Sequence, residues 1–328
     1  MSERFTGDRR DSSTLDKWLA TEFEEQYKWQ YETLNKLGLL DILLSGETGV
    51  IGIDKKEYPI PSQETLRRMI ESERDKYEIK ISQGFTRFQL TPFALPIDIL
   101  IKIAENKIKE RHKQGKLLAT KNSPDEPDEQ LELDTNQPIY VWNVWCGSDK
   151  NGQGVYYPDN FDPTNHKGHT KQEILDTQIT TQNQGQLVSA GWNAILLEFN
   201  LNIPRQGKGQ TKGKRKQLET NQTPKEYKSI LKTDQQYNHE QGLTNEDWLT
   251  LFLIHLEQTC EVIDDWHGKG SATYLLESFD PASGGLCIGY WNRGRQRASL
   301  DMDGPGCSDY RTGFRSAVGL GRELEFEN

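Results

Sequence analysis

The spacing of hydrophobic residues changes along this chain, and each change marks an element. Between residues 14 and 44, Leu15, Trp18, Leu19, Phe23, Tyr27, Tyr31, Leu34 and Leu37 recur every three to four positions. That stripe predicts one amphipathic helix or two, ending near Gly38 or Gly46. After Tyr58-Pro59-Ile60-Pro61, Ser62 stands as an N-cap before Leu66, Met69 and Ile70 at helical spacing. Tyr77 to Ile81 alternates apolar with polar and predicts a short strand. Further on, apolar residues continue past Pro96 and give way to basic ones. The pattern predicts a helix over about 96–113 whose cationic end meets the negative pole of the helix dipole.

The second half alternates helix starts with strand-like runs. "IYVWNVW" (139–145) and "WNAILLEF" (192–199) are dense in β-branched and aromatic residues and predict strands. Thr170 with Glu173 and Thr223 with Glu226 have capping-box spacing, the latter with Pro224 at the first helical position. Thr244 with Asp247 opens another helix, with Trp248, Leu249, Phe252 and Leu256 as its buried face. Beyond Asp264-Asp265 come "SATYLLESF", "GGLCIGYW", "RQRASLDM" and "GFRSAVGL", short strand-like pieces with glycine-rich joins. The expected class is α+β, with no internal repeat. Residues 121–137 are acidic and proline-punctuated, a linker or loop between a mainly helical region (1–120) and the remainder (138–328).

Composition narrows the partners. The chain has 328 residues, 34% hydrophobic and 27% charged, with a net charge of −10, which argues against general binding to nucleic-acid backbones. No apolar run has transmembrane length, and Met1 to Arg10 is charged rather than signal-like, so a cytoplasmic protein without membrane contact is expected. The four cysteines, Cys146, Cys260, Cys287 and Cys307, form no CxxC pair, so reduced thiols are expected.

No constellation amounts to an active site. The glycine- and lysine-rich loop 205–216 lacks the Gly-Lys-Ser/Thr ending of a phosphate loop and reads as exposed. His166 and His169 have metal-compatible spacing but no third ligand nearby, and Asp301-Met302-Asp303-Gly304 departs from a calcium loop and reads as a polar turn. Cys287 and Cys307 as thiols, with His255 and His267 as bases, fall in no catalytic signature. His255 is expected on a partly exposed helix side, Cys287 in a strand, and Asp264 and Asp265 pointing apart into solvent. Neither a cofactor nor a metal is called for.

The stretch from Gly289 to Gly319 differs in kind. It is rich in Tyr, Trp, Arg, Ser, Gly and Asp, which supply rigid amphipathic area and adaptable hydrogen bonds at binding surfaces. Its order, Gly289-Tyr290-Trp291-Asn292, an arginine-rich piece from Arg293 to Arg297, the Asp303-Gly304-Pro305 turn and Gly313-Phe314-Arg315, resembles the end of the C-type lectin fold in its formylglycine-generating-enzyme-like branch. In particular it looks like the variable proteins of diversity-generating retroelements, whose terminal segment is rewritten by adenine-directed mutagenic reverse transcription. The stretch from Gly242 to Phe279 is also similar to what precedes the variable segment in bacterial members. The likeness covers about 138–320, is most specific over 242–318, and does not extend to residues 1–57.

That resemblance implies a C-type lectin-like domain whose terminal segment, about 289–315, binds a macromolecular ligand, a protein. It implies a framework of Trp291, Gly313, Phe314 and Arg315. The exposed, exchangeable positions would be Tyr290, Asn292, Gly294, Arg295, Arg297, Ser299, Asp301, Asp303, Cys307, Ser308, Tyr310 and Arg311. The alternative is an oxidoreductase like the formylglycine-generating enzymes, which bind copper through a close cysteine pair. Here Cys287 and Cys307 stand twenty positions apart. Nucleic-acid binding through the 205–216 lysines and terminal arginines is a third reading. Oligomeric state is not indicated.

Overall fold

The structure, a computed structural model, describes residues 13–321, so the charged start Met1–Arg10 lies outside the described residues. It is α+β. Its first helical run is unbroken: α1 (Thr14–Trp18) passes through a π-helical turn, Leu19–Phe23, into α2 (Glu24–Lys36), and Gly38 follows in a left-handed conformation. A small antiparallel sheet comes next, β1 (Asp41–Ile42), β2 (Thr48–Ile51) and β3 (Glu57–Pro59). Ser62 caps α3 (Gln63–Ser72) by accepting from the Thr65 amide.

The strand expected at Tyr77 to Ile81 is instead part of a helix, α4 (Arg74–Ser82). Tyr77 and Ile81 are buried and Ile79 is 55% exposed, so the inward residues are four apart on a helix rather than alternate on a strand. After β4 (Phe85–Thr91) the expected basic-ended helix is α5 (Ile97–Lys113). The acidic segment 121–137 packs rather than dangles. Ala119 donates to the Glu129 carbonyl and Leu131 to that of Leu117, and Leu131 and Leu133 are buried.

"IYVWNVW" is a strand only over β5 (Ile139–Val141). Trp142 then leads into α6 (Asn143–Lys150), where Trp145, three residues on, is fully buried. The chain continues with β6 (Val155–Tyr156), β7 (His169–Thr170), α7 (Lys171–Asn183), β8 (Asn193–Glu198), the hairpin β9 (Thr211–Lys212) and β10 (Arg215–Lys216), and α8 (Pro224–Thr233). Both capping boxes form, at Thr170/Glu173 and Thr223/Glu226. The basic loop is not wholly exposed. Arg215 is buried between Phe85 and Tyr237, where it pairs with Glu198 and Glu240.

At the centre lies α9 (Asn245–Thr259), opened by the Thr244/Asp247 box. It is buried all round, not on one stripe: Leu251, Leu253 and Ile254 are covered as well as Trp248, Leu249, Phe252 and Leu256. That burial follows from packing against α2, α5 and β4 on some sides and β12 and β13 on others. Beyond it run β11 (Asp265–Trp266), β12 (Ala272–Asp280), β13 (Gly285–Asn292), β14 (Arg297–Asp303), β15 (Thr312–Phe314) and β16 (Ala317–Gly319).

The main sheet has the order β5-β14-β13-β12-β6-β7, with β11 parallel to β13 and β15 parallel to β12; a second sheet runs β16-β8-β4. One hydrophobic cluster joins Leu15, Phe88, Trp192, Trp248 and Leu320, so residues on both sides of 121–137 share a core. Among the described residues no helix is long and apolar enough to cross a membrane.

A candidate ligand-binding face

The β13–β14 hairpin sorts its side chains by the two-residue period of a strand. Tyr290 pairs with Ser299, Asn292 with Arg297, Ile288 with Asp301 and Leu286 with Asp303, so these eight project from one face. Trp291 pairs with Ala298, Gly289 with Leu300 and Cys287 with Met302 on the other; the β13 members of these pairs face α9, while Met302 at the strand end is exposed. The segment from Arg293 to Arg297 is therefore a turn entering β14 and not an arginine-rich strand. Asp301 and Asp303 lie in β14 rather than in a polar turn.

On the core face, contacts are too close for change. A Cβ on Gly289 would lie 2.4 Å from the Trp248 ring, and one on Gly313 would lie 2.7 Å from Ile203. Trp291 is fully buried there, whereas Phe314 lies on the opposite side of the sheet beside Tyr274 and packs on Tyr227 with ring centroids 4.8 Å apart, in a second cluster that also covers Leu286.

Asp264 and Asp265 do point apart, but both are buried, against the expectation of solvation. Asp264 accepts from Trp248 Nε1 at 2.9 Å and from Arg315. Asp265 accepts two hydrogen bonds from Arg293, at 2.7 and 2.6 Å, while Arg293 also reaches Glu129. Both arginines thus hold the loop behind the face, and neither is available to a ligand. His255, expected on a partly exposed helix side, is half-buried, and burial, then Arg87 and Arg315, lowers its pKa to about 3.

The other face forms a continuous patch. Trp266 meets Tyr290 edge-on at 5.1 Å and touches His267, whose Nδ1 accepts from Arg311 at 3.0 Å. Arg311 lies over the Tyr310 ring, and Arg297 lies 4.9 Å over Tyr140 while donating to Gln137. The loop 304–311 is tied down where Tyr274 OH, which projects beside Ile288, donates to the Cys307 carbonyl. Trp266, His267 and Tyr140 belong to this patch although the terminal segment does not contain them. The Trp266-His267 pair directly after two aspartates was a signal for those two residues, whereas Tyr140 comes from β5 and only the strand pairing with β14 brings it here.

Of the twelve exchangeable candidates, Gly294, Arg295, Cys307, Ser308 and Tyr310 are exposed, and Asn292, Arg297, Asp301, Asp303 and Arg311 are half-buried. Tyr290 and Ser299 are not exposed as expected. Flanking strands and Trp266 cover them, so they form the floor of the patch. Burial, then the neighbouring Asp301 that accepts its hydroxyl at 3.2 Å, pushes the Tyr290 phenol up to about 12.

Cys287 is in a strand, as expected, and is buried on the α9 side near Asn245, whereas Cys307 is exposed in the loop over the opposite face. Asp303, by hydrogen bonding and charge, raises the Cys307 thiol above its ordinary pKa, which disfavours the thiolate. His166 Nδ1 accepts from the Gly168 amide. Among the described residues no group of three or more His, Cys, Asp or Glu side chains has the arrangement of a metal site. No family model matches the chain, and neither a curated protein nor a solved structure does.

Proposed function

We propose that this is a ligand-binding protein with a C-type lectin-like domain, a variable protein of a diversity-generating retroelement. Its receptor surface is the outward face of β13–β14 together with loop 304–311. The observation that carries the reading is the strand alternation of the hairpin. Gly289, Trp291 and Leu300 fall on the α9 side, and Asn292, Arg297, Asp301 and Asp303 fall on the other, where only the Leu286 end is covered, by Tyr274 and Phe314. A backbone held by sheet pairing and one-sided packing accepts many side chains on its free face. Aromatics and arginines there suit a protein ligand, because they give large contact area with few rotamers to freeze.

The test is the DNA beside the gene. A reverse-transcriptase gene with a near copy of codons 289–315, differing mainly at adenines, supports the reading. Flanking DNA with neither feature contradicts the retroelement assignment.

A further inference from the structure

A cleft of about 520 Å³ opens between α7, α8, the start of β8 and the end of β16, and it shares no lining residue with the β13–β14 face. Its volume is in the range of small-molecule sites. Leu187, Val188 and Leu231 give it an accessible apolar wall, underlain by the buried Trp192, Ile174 and Met69.

The lining also carries four lysines, Lys76, Lys167, Lys228 and Lys232, against three carboxylates, Asp159, Glu240 and Glu277. Each carboxylate is already engaged. Lys228 lies 2.7 Å from Glu277, which also accepts from the Gly242 amide, and Lys232 lies 3.4 Å from Asp159. Glu240 is held from behind by Lys80 and Arg215, two cations outside the lining. Lys76 is paired in turn with Glu73 at 2.9 Å, so among the described residues Lys167 is the lining lysine left without a carboxylate and is the cationic point of the rim.

Three of the ten non-glycine residues with left-handed backbone among the described residues fall in this cleft. Tyr157, Lys167 and His239 line the cleft with φ of 51°, 56° and 66°, a left-handed region that non-glycine side chains adopt only at a cost. Such residues concentrate at binding sites, where the surrounding structure holds them in a conformation that serves the ligand.

We propose that this cleft is a second binding site, for a small organic anion with a flat apolar body. The apolar body would lie against Leu187, Val188 and Leu231, and the anionic group would meet Lys167 at the rim. Nothing in this assignment depends on the function of the β13–β14 face.

The test is fluorescence titration of the full chain with two probes of one shape, the anion 8-anilinonaphthalene-1-sulfonate and its uncharged counterpart N-phenyl-1-naphthylamine. The expected result is one saturable site per chain, with the anion bound about tenfold more tightly. K167E should weaken the anion about fivefold or more and leave the neutral probe unchanged. L231W, from the α8 wall, should block both probes. Leu187 is 38% exposed, so L187W keeps the blocking test valid if L231W does not fold. Equal affinity for the two probes, binding unmoved by K167E, or binding unmoved by the blocking variants would each overturn the assignment.

Discussion

Arg315 grips both carboxylate oxygens of Asp264, with Nη1 to Oδ2 at 3.1 Å and Nη2 to Oδ1 at 2.8 Å, while its Nε and Nη2 also donate to the Leu201 carbonyl. Asp264 in turn accepts from Trp248 of α9, and its own carbonyl accepts the Trp291 amide of β13. One buried ion pair therefore joins α9, the hairpin and the segment between β15 and β16. The backbone of the proposed receptor face is fixed from behind.

R315A should lose about 3–5 kcal/mol in urea unfolding at neutral pH, because it strands a buried carboxylate. R315K should be nearly as damaging, since one ammonium cannot span both Asp264 oxygens and the Leu201 carbonyl. A loss under about 1 kcal/mol for R315A, the scale of an exposed pair, would show that the pair does not organise this region.

W291A should cost about 3–5 kcal/mol by the same measurement, the range for emptying a large aromatic site. G289A should cost about 1 kcal/mol or more, since its methyl would overlap the Trp248 ring. A neutral G289A would mean that the hairpin does not pack on α9 as described.

The two tyrosines of the face should behave differently. Y310A, at an exposed position, should leave stability within about 0.5 kcal/mol, whereas Y290A, which removes the ring beneath Trp266, should cost about 2 kcal/mol or more. Thermal melts of both variants decide it, and equal effects would contradict the assignment of Tyr290 to the floor.

His255 and Asp247 give α9 two opposed pH dependences. The Nδ1 of His255 is sealed without a hydrogen-bond partner, and the ring stays neutral in the folded state, with its pKa of about 3 below the ordinary 6.5. The unfolded chain therefore binds a proton that the folded chain refuses, and stability contributed by neutral His255 is lost as pH falls from about 6.5 toward 3. Asp247, raised to about 6 by burial, acts the opposite way and loses stability as pH rises from about 4 to 6. Unfolding of H255F and the parent, compared from pH 7 to 4, should show a smaller acid loss in H255F. Parallel curves would place the acid sensitivity elsewhere.

Where an element is set by near neighbours, the sequence identified it. The boxes at Thr170, Thr223 and Thr244 use a partner three residues away, and all three form. Asp264 and Asp265 could not be read that way. Their partners Arg315 and Arg293 are 51 and 28 residues distant, and only the fold shows that the carboxylates are buried. Tyr77 to Ile81 failed for a different reason. Inward positions 77 and 81 satisfy both strand and helix periods, and only the outward Ile79 separates them. On the candidate face, Trp291 was marked as framework by the resemblance alone, and the alternation that sets it opposite Tyr290 is visible in the strand register. The burial of Tyr290 and Ser299 was not readable from the sequence, because Trp266 that covers Tyr290 comes from another strand.

The account turns on a free face carried by a fixed frame. The most direct measurement is the thermal melt of one variant with Asn292, Arg295, Arg297, Ser308, Tyr310 and Arg311 all changed to serine or alanine, beside R315A alone. The account predicts cooperative unfolding of the sixfold variant within about 3 °C of the parent and a far larger drop for R315A. A sixfold variant that loses cooperative unfolding, or melts as low as R315A, would contradict it.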